Sequence, residues 1–179
     1  DPDRITVVSN TPPRARSAAA PLTPAPSKDR GEVELIYLGL LEAPRGIGAL
    51  LDAVEFCRGN GLDVRLTLIG EGRDRTDFGA RAGAFDPDGE AVRFLGFVKN
   101  SEALQLLRAA DIGLIPHHAD DSWNSTIPNK LFDYMAAGIT VVASDARPVL
   151  RVVTETGCGR VFRDRDARHL AEVITSLRD

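Results

Sequence analysis

From residue 32 onward the sequence repeats one unit, and this repetition restricts the fold more than any other feature. A short apolar, β-branched run ends at a glycine, and a stretch with helical spacing follows it. Val33-Glu34-Leu35-Ile36-Tyr37-Leu38 reads as a strand closed by Gly39. Ile47, Leu50, Leu51, Val54 and Cys57 then recur at helical intervals until Gly59-Asn60-Gly61. Val64-Arg65-Leu66-Thr67-Leu68-Ile69 is the next strand, followed by Gly70-Glu71-Gly72 and a polar helix over Asp74–Ala82. Phe85-Asp86-Pro87-Asp88-Gly89 carries turn chemistry, and Val92-Arg93-Phe94-Leu95 is a strand ending at Gly96. Asn100 is placed to cap a helix bearing Leu104, Leu107 and Ala110. Ile112-Gly113-Leu114-Ile115-Pro116 has the continuous apolar character of a fully buried strand. Pro128 is expected at the first position of the next helix, which Gly138 closes. Ile139-Thr140-Val141-Val142-Ala143 is another strand, and helices are expected over 146–155 and 166–178, with Gly159-Arg160-Val161-Phe162 between them. Strand–helix alternation at this spacing predicts an α/β fold: a three-layer, Rossmann-like parallel sheet with helices on both faces.

The first 31 residues do not follow this pattern. Ile5-Thr6-Val7-Val8 reads as a strand within residues 1–9. Residues 10–31 contain Pro12, Pro13, Pro21, Pro24 and Pro26 and read as a linker or loop, because proline fixes φ and removes an amide donor. The regular unit, residues 32–179, is the expected domain. The start, Asp1-Pro2-Asp3-Arg4, resembles neither a signal peptide nor a natural N-terminus, so the chain reads as a piece of a longer protein.

Composition excludes several function classes. The net charge is −4 over 179 residues, so no global basic field favours nucleic acid. No apolar run approaches the roughly 20 residues of a membrane span. Cys57 and Cys158 are far apart and read as free thiols in a reducing compartment. His117-His118 has no third ligand nearby, so no metal site is expected.

Open parallel sheets bind ligands beyond the carboxyl ends of their strands, so the strand-to-helix turns are where chemistry is expected. Gly39 to Gly46 and Gly70-Glu71-Gly72-Arg73 hold the small residues that allow close backbone approach. Neither is a P-loop or a full dinucleotide fingerprint. Arg45 can meet a phosphate or end as a solvated helix-end arginine. The stretch from Ser122 to Gly138 sets a hydroxyl-rich loop against a helix N-terminus, an anion-binding arrangement. Lys130 and Asp133 share a helix face there. They suit a phosphate and vicinal hydroxyls respectively, or a surface ion pair with each other.

Ile36-Tyr37-Leu38-Gly39 with Arg45-Gly46, Leu68-Ile69-Gly70-Glu71-Gly72, Val92 to Phe97, Ala110 to Pro116, Pro128 to Gly138 and Val141 to Asp145 occur in a telling order. Together they resemble the C-terminal, nucleotide-sugar-binding domain of a family 4 (group 1) glycosyltransferase, one half of a GT-B fold. Val7-Val8-Ser9-Asn10 resembles the strand at that family's interdomain junction. The resemblance implies a retaining hexosyltransferase that uses a nucleoside-diphosphate sugar and needs neither cofactor nor divalent metal. Arg45 and Lys130 would stabilise the leaving diphosphate. Gly39, Gly70, Gly72, Phe97, Val98, Ser125, Thr126, Ile127 and Asp133 would contact the donor, with Asp133 on the ribose and Phe97 and Val98 at the base. Several positions depart from the family pattern: Asp133 is one methylene shorter than the usual glutamate, and Thr126 and Pro128 occupy usual glycine positions. Leu40 stands where an arginine of the diphosphate clamp is usual, and Ser125 stands where a glutamate contacts the donor sugar. The acceptor half would be an N-terminal domain absent from this chain, so the chain alone is expected to bind donor and transfer nothing. A cytoplasmic location is implied, with any contact to the inner face of the membrane made by the missing half. A non-catalytic nucleotide-binding or regulatory module is the main alternative. A GT-B sugar-nucleotide epimerase and a dehydrogenase fit the residues less well.

Overall fold

A computed structural model of the chain describes residues 31–178. The strand read over residues 1–9 and all but the end of the proline-rich stretch 10–31 lie outside the described residues. Six strands, β1 (Val33–Leu38), β2 (Val64–Ile69), β3 (Val92–Gly96), β4 (Ile112–Ile115), β5 (Thr140–Ser144) and β6 (Gly159–Phe162), form one sheet in the order β3-β2-β1-β4-β5-β6. Every pairing is parallel. Six helices connect or follow them: α1 (Ile47–Gly59), α2 (Arg75–Phe85), α3 (Asn100–Ala109), α4 (Asn129–Ala137), α5 (Arg147–Thr156) and α6 (Ala167–Arg178).

The alternation of side chains along each strand divides the core into two layers. Leu35 and Tyr37 of β1 pack with Leu50, Leu51 and Val54 of α1, Phe78 of α2 and Leu170 and Ile174 of α6. Ile36, between them in sequence, points the other way and packs with Leu107 of α3, Leu131 and Tyr134 of α4 and Val149 and Val153 of α5. Three helices on each face give the three-layer architecture expected from the sequence.

Several local expectations need correction. Asn100 is the first helical residue of α3 rather than its cap; Lys99 holds the cap position, and no side chain caps that end. Pro128 sits one residue earlier than expected, at the cap of α4. Its fixed φ of −69° suits either place. Helix α2 runs on to Phe85, past the expected stop at Ala82. The turn begins at Asp86, whose carboxylate accepts the amides of Glu90, Ala91 and Val92 at 3.0, 3.0 and 2.8 Å. Gly159–Phe162, left without a type by the sequence, is the edge strand β6, in register with β5 from Val141↔Gly159 to Ser144↔Phe162.

The order β3-β2-β1-β4-β5-β6 reverses direction between β1 and β4. Successive crossovers leave these two strands toward opposite faces, and a crevice opens beyond their carboxyl ends. Gly46 brings the β1 turn onto the end of β4. Its φ of 75° is left-handed, and a Cβ there would overlap the Pro116 carbonyl. Gly46→Ala is expected to cost about 2–4 kcal/mol, read as a lower urea midpoint at unchanged m. A midpoint within error of wild type would show that this contact is not rigid.

Candidate functional site

The strands β1 and β4 pair only over Leu35↔Ile112 and Ile36↔Gly113. Beyond that point Tyr134 of α4 bridges them: its hydroxyl accepts the Leu38 amide at 3.1 Å and donates to the Leu114 carbonyl at 3.3 Å. Gly113 leaves room for the Tyr134 ring, since a Cβ at that position would meet it. Helix α4 is thereby fixed with its N-terminus over the crevice. The cleft there has a volume of about 430 Å³, and its wall includes Arg45, His117, Trp123, Thr126, Ile127, Lys130 and Asp133.

Lys130 is the unexpected member. The sequence offered a surface ion pair with Asp133 as one reading, but Lys130 is only 9% exposed. Its Nζ lies 3.8 Å from the centroid of the Tyr37 ring and 3.3 Å from His117 Nε2. It also sits beside Gly39, where a Cβ would fall 2.8 Å from Nζ. The Tyr37 hydroxyl donates to the Leu40 carbonyl at 2.9 Å and so fixes the turn above the lysine. Among the described residues no carboxylate is within ion-pair distance of Lys130. Burial, reinforced by the Arg45 charge, holds the ammonium pKa well below its ordinary value.

His117 and Trp123 complete the wall. Their rings stack with centroids 3.9 Å apart at 27°. Arg45, at the end of the short 3₁₀ turn Ala43–Arg45, places its guanidinium 4.6 Å from the Trp123 centroid. His117 is buried, and its Nδ1 has no hydrogen-bond partner among the described residues. Burial first, then the charges of Lys130, Arg45 and His118, pushes its pKa down to about 2, so the imidazole stays neutral. His118 turns elsewhere: its Nδ1 lies 2.9 Å from Asp164 Oδ1, and the Ala119 amide donates to Asp164 Oδ2 at 3.0 Å. Those contacts tie the loop after β4 to the loop after β6.

The residues expected at the site do not all meet in one place. Arg45, Thr126, Ile127, Lys130 and Asp133 line one cleft. Gly39, Gly70 and Gly72 hold the turns after β1 and β2 together. A Cβ on Gly70 would overlap the Gly39 carbonyl, and one on Gly72 would overlap the Leu41 carbonyl. The Gly39 amide donates to Ile69 O at 2.9 Å and the Leu41 amide to Glu71 O at 3.0 Å. Phe97 is 80% exposed after β3, and Val98 packs on the layer around Ile36. Ser125 is exposed and is not part of the cleft wall; its hydroxyl donates to the Ser122 carbonyl at 2.8 Å. Its amide is also committed to Ser122 O, at 3.3 Å. Sequence reasoning missed His117 as a wall residue, and it missed Tyr37 and Trp123 altogether. The available signal was position: His117 follows directly on a buried central strand at its carboxyl end.

A family model described as "Glycosyl transferases group 1" matches residues 32–179. The phosphatidyl-myo-inositol mannosyltransferase of Mycobacterium leprae is 31% identical over 144 residues, covering 80% of this chain and 36% of that protein. The amylovoran biosynthesis glycosyltransferase AmsK of Erwinia amylovora is 27% identical over 149 residues, covering 81% of this chain and 36% of its own length. The chain thus spans about a third of these relatives. Among solved structures, WaaG, a glycosyltransferase involved in lipopolysaccharide biosynthesis, superposes with a TM-score of 0.68 at 19% identity, covering 84% of this chain and 39% of that one. Anabaena Alr3699/HepE in complex with UDP gives a TM-score of 0.68 at 20% identity, covering 82% and 39%. At such identities the superpositions speak for the fold alone. The match over residues 32–179, together with the order of turns around the cleft, shows that the chain belongs to the group 1 glycosyl transferases.

Proposed function

We propose that this chain is the donor-binding half of a retaining hexosyltransferase, taking a nucleoside-diphosphate sugar in the cleft between β1 and β4. The observation that carries this reading is the pairing of two basic side chains, Arg45 and Lys130, with a helix N-terminus at the sheet's switch point. When the anomeric carbon–oxygen bond breaks, negative charge grows on the departing diphosphate. Arg45 and Lys130 stabilise that charge without a divalent metal. Asp133 accepts hydroxyls of the ribose, and Phe97 and Val98 flank the base. Gly39, Gly70 and Gly72 keep the two turns close enough for the diphosphate to lie over them. Thr126 and Ile127 face the donor sugar; Ser125, expected beside them, turns its hydroxyl to the Ser122 carbonyl and brings no carboxylate to the cleft.

The acceptor is held by a second domain outside this chain, so the chain alone binds donor and turns nothing over. The relatives' coverage of about a third supports that division. Among the described residues no helix is long and apolar enough to cross a membrane. A cytoplasmic site of action, with any membrane contact made by the other half, fits this reading. Leu40 and Ser125 favour a second reading, a nucleotide-binding module without transfer. The anomeric configuration of product tests the first. This chain alone should give no product from a nucleotide sugar. The polypeptide that includes the acceptor half should give a glycoside of the donor's configuration by NMR coupling constants. Inverted product would contradict retention, and a full-length protein that binds donor without turnover would favour the second reading.

A further inference from the structure

Lys130 is the only buried lysine or arginine among the described residues, and its surroundings are unusual for a cation. The face of Tyr37 comes from β1, the neutral imidazole of His117 from the end of β4, and the like charge of Arg45 from the turn after β1. His118 adds its influence on His117, and Glu42 adds its influence on Tyr37. On its own helix, Asp133 lies three residues on and Tyr134 four; the Asp133 charge acts on the Tyr134 hydroxyl, and burial and Arg45 act on the ammonium. Nothing anionic pairs with Lys130 among the described residues, and water is largely excluded. An ammonium in such a place is expensive to keep charged, and the proton is the part that leaves most readily. A diphosphate entering the cleft brings the missing negative charge to within reach of Nζ.

Resting on the donor-binding reading above, we propose that binding of the donor diphosphate is coupled to uptake of a proton by Lys130. Above its lowered pKa the lysine is neutral in the empty cleft, and it becomes an ammonium against the diphosphate. The leaving-group cation is thus assembled by the substrate rather than maintained in its absence. His117 Nε2 offers an acceptor to the ammonium in the occupied state. Because Lys130 is uncharged above its lowered pKa, donor affinity should fall as pH rises. The slope should be roughly tenfold per pH unit, up to the pKa of the occupied state.

Titration calorimetry of the chain with UDP-glucose and GDP-mannose, in two buffers of different ionisation enthalpy, measures this directly. Each phosphate of a nucleotide sugar carries one ester bond, one anhydride bond and a single strongly acidic oxygen, so the ligand contributes no phosphate proton. The expected result is proton uptake that grows with pH toward one proton per donor bound as the measurement moves above the lowered lysine pKa. In Lys130→Arg the guanidinium is permanently charged, so uptake should fall to near zero. Binding by wild type without uptake, or uptake that persists in Lys130→Arg, would overturn the coupling and leave donor binding intact. No binding of either sugar nucleotide by wild type would overturn this inference together with the donor assignment behind it.

Discussion

Replacing Lys130 with methionine is expected to raise the stability of the domain while lowering donor affinity by about 100-fold or more. The two effects have one cause. Methionine fills nearly the same volume against Tyr37 and His117 without an amine to desolvate. It also cannot meet the diphosphate. The pH dependence separates this account from simple repacking. The lysine pKa is lowered in the native state and ordinary when unfolded. Between those values the unfolded chain holds one more proton, so unfolding free energy rises with pH across that window and levels off near the ordinary lysine pKa. Lys130→Met should remove this slope. Denaturant midpoints measured at several pH values decide the matter. A variant less stable than wild type with an unchanged pH slope would show that Lys130 is charged and well paired in the native state.

The second large effect is expected at Arg45. Its guanidinium lines the cleft and lies over Trp123, and position 40 supplies no second cation in that turn. Arg45→Ala should weaken donor binding by roughly 10- to 100-fold, the usual scale for a charge-assisted contact to phosphate. Arg45→Lys keeps a point charge and should recover most of that loss. Stability should change little in both, because Arg45 is half-exposed and Trp123 keeps its stack on His117. Equal affinity in wild type and Arg45→Ala by calorimetry would remove Arg45 from the site.

The sheet and its helices were legible because their signals are local. Runs such as Val64–Ile69 and the spacing of Ile47, Leu50, Leu51 and Val54 state their own geometry. The edge strand β6 was not legible, because Gly159-Arg160-Val161-Phe162 has one glycine, one charge and little periodicity; only its pairing with β5 makes it a strand. Helix ends slipped by a few residues where the stop depends on tertiary contact, as at Asp86, which turns its carboxylate back onto Glu90, Ala91 and Val92.

The site divides the same way. Arg45, Lys130 and Asp133 could be named from residue type and position near strand ends. The burial of Lys130 could not, since it depends on the Tyr37 ring arriving from β1 and His117 from β4. His117 looked like half of an accidental pair because its partners, Trp123 and Lys130, are six and thirteen residues away on a loop and a helix. The glycines show a different limit. Their pattern signals close backbone approach, and in this fold the approaching backbone belongs to the neighbouring turn.

Trp123 is the single tryptophan of the 179 residues, and it stands in the cleft against His117 and Arg45. Its emission therefore reports on this site and no other. Titrating the chain with UDP, GDP, ADP and TDP and their sugars tests the central claim most directly. At least one should change tryptophan emission saturably below roughly millimolar concentration, with the change weakened in Arg45→Ala. Emission that stays flat for every nucleotide to that concentration would contradict a donor site between β1 and β4.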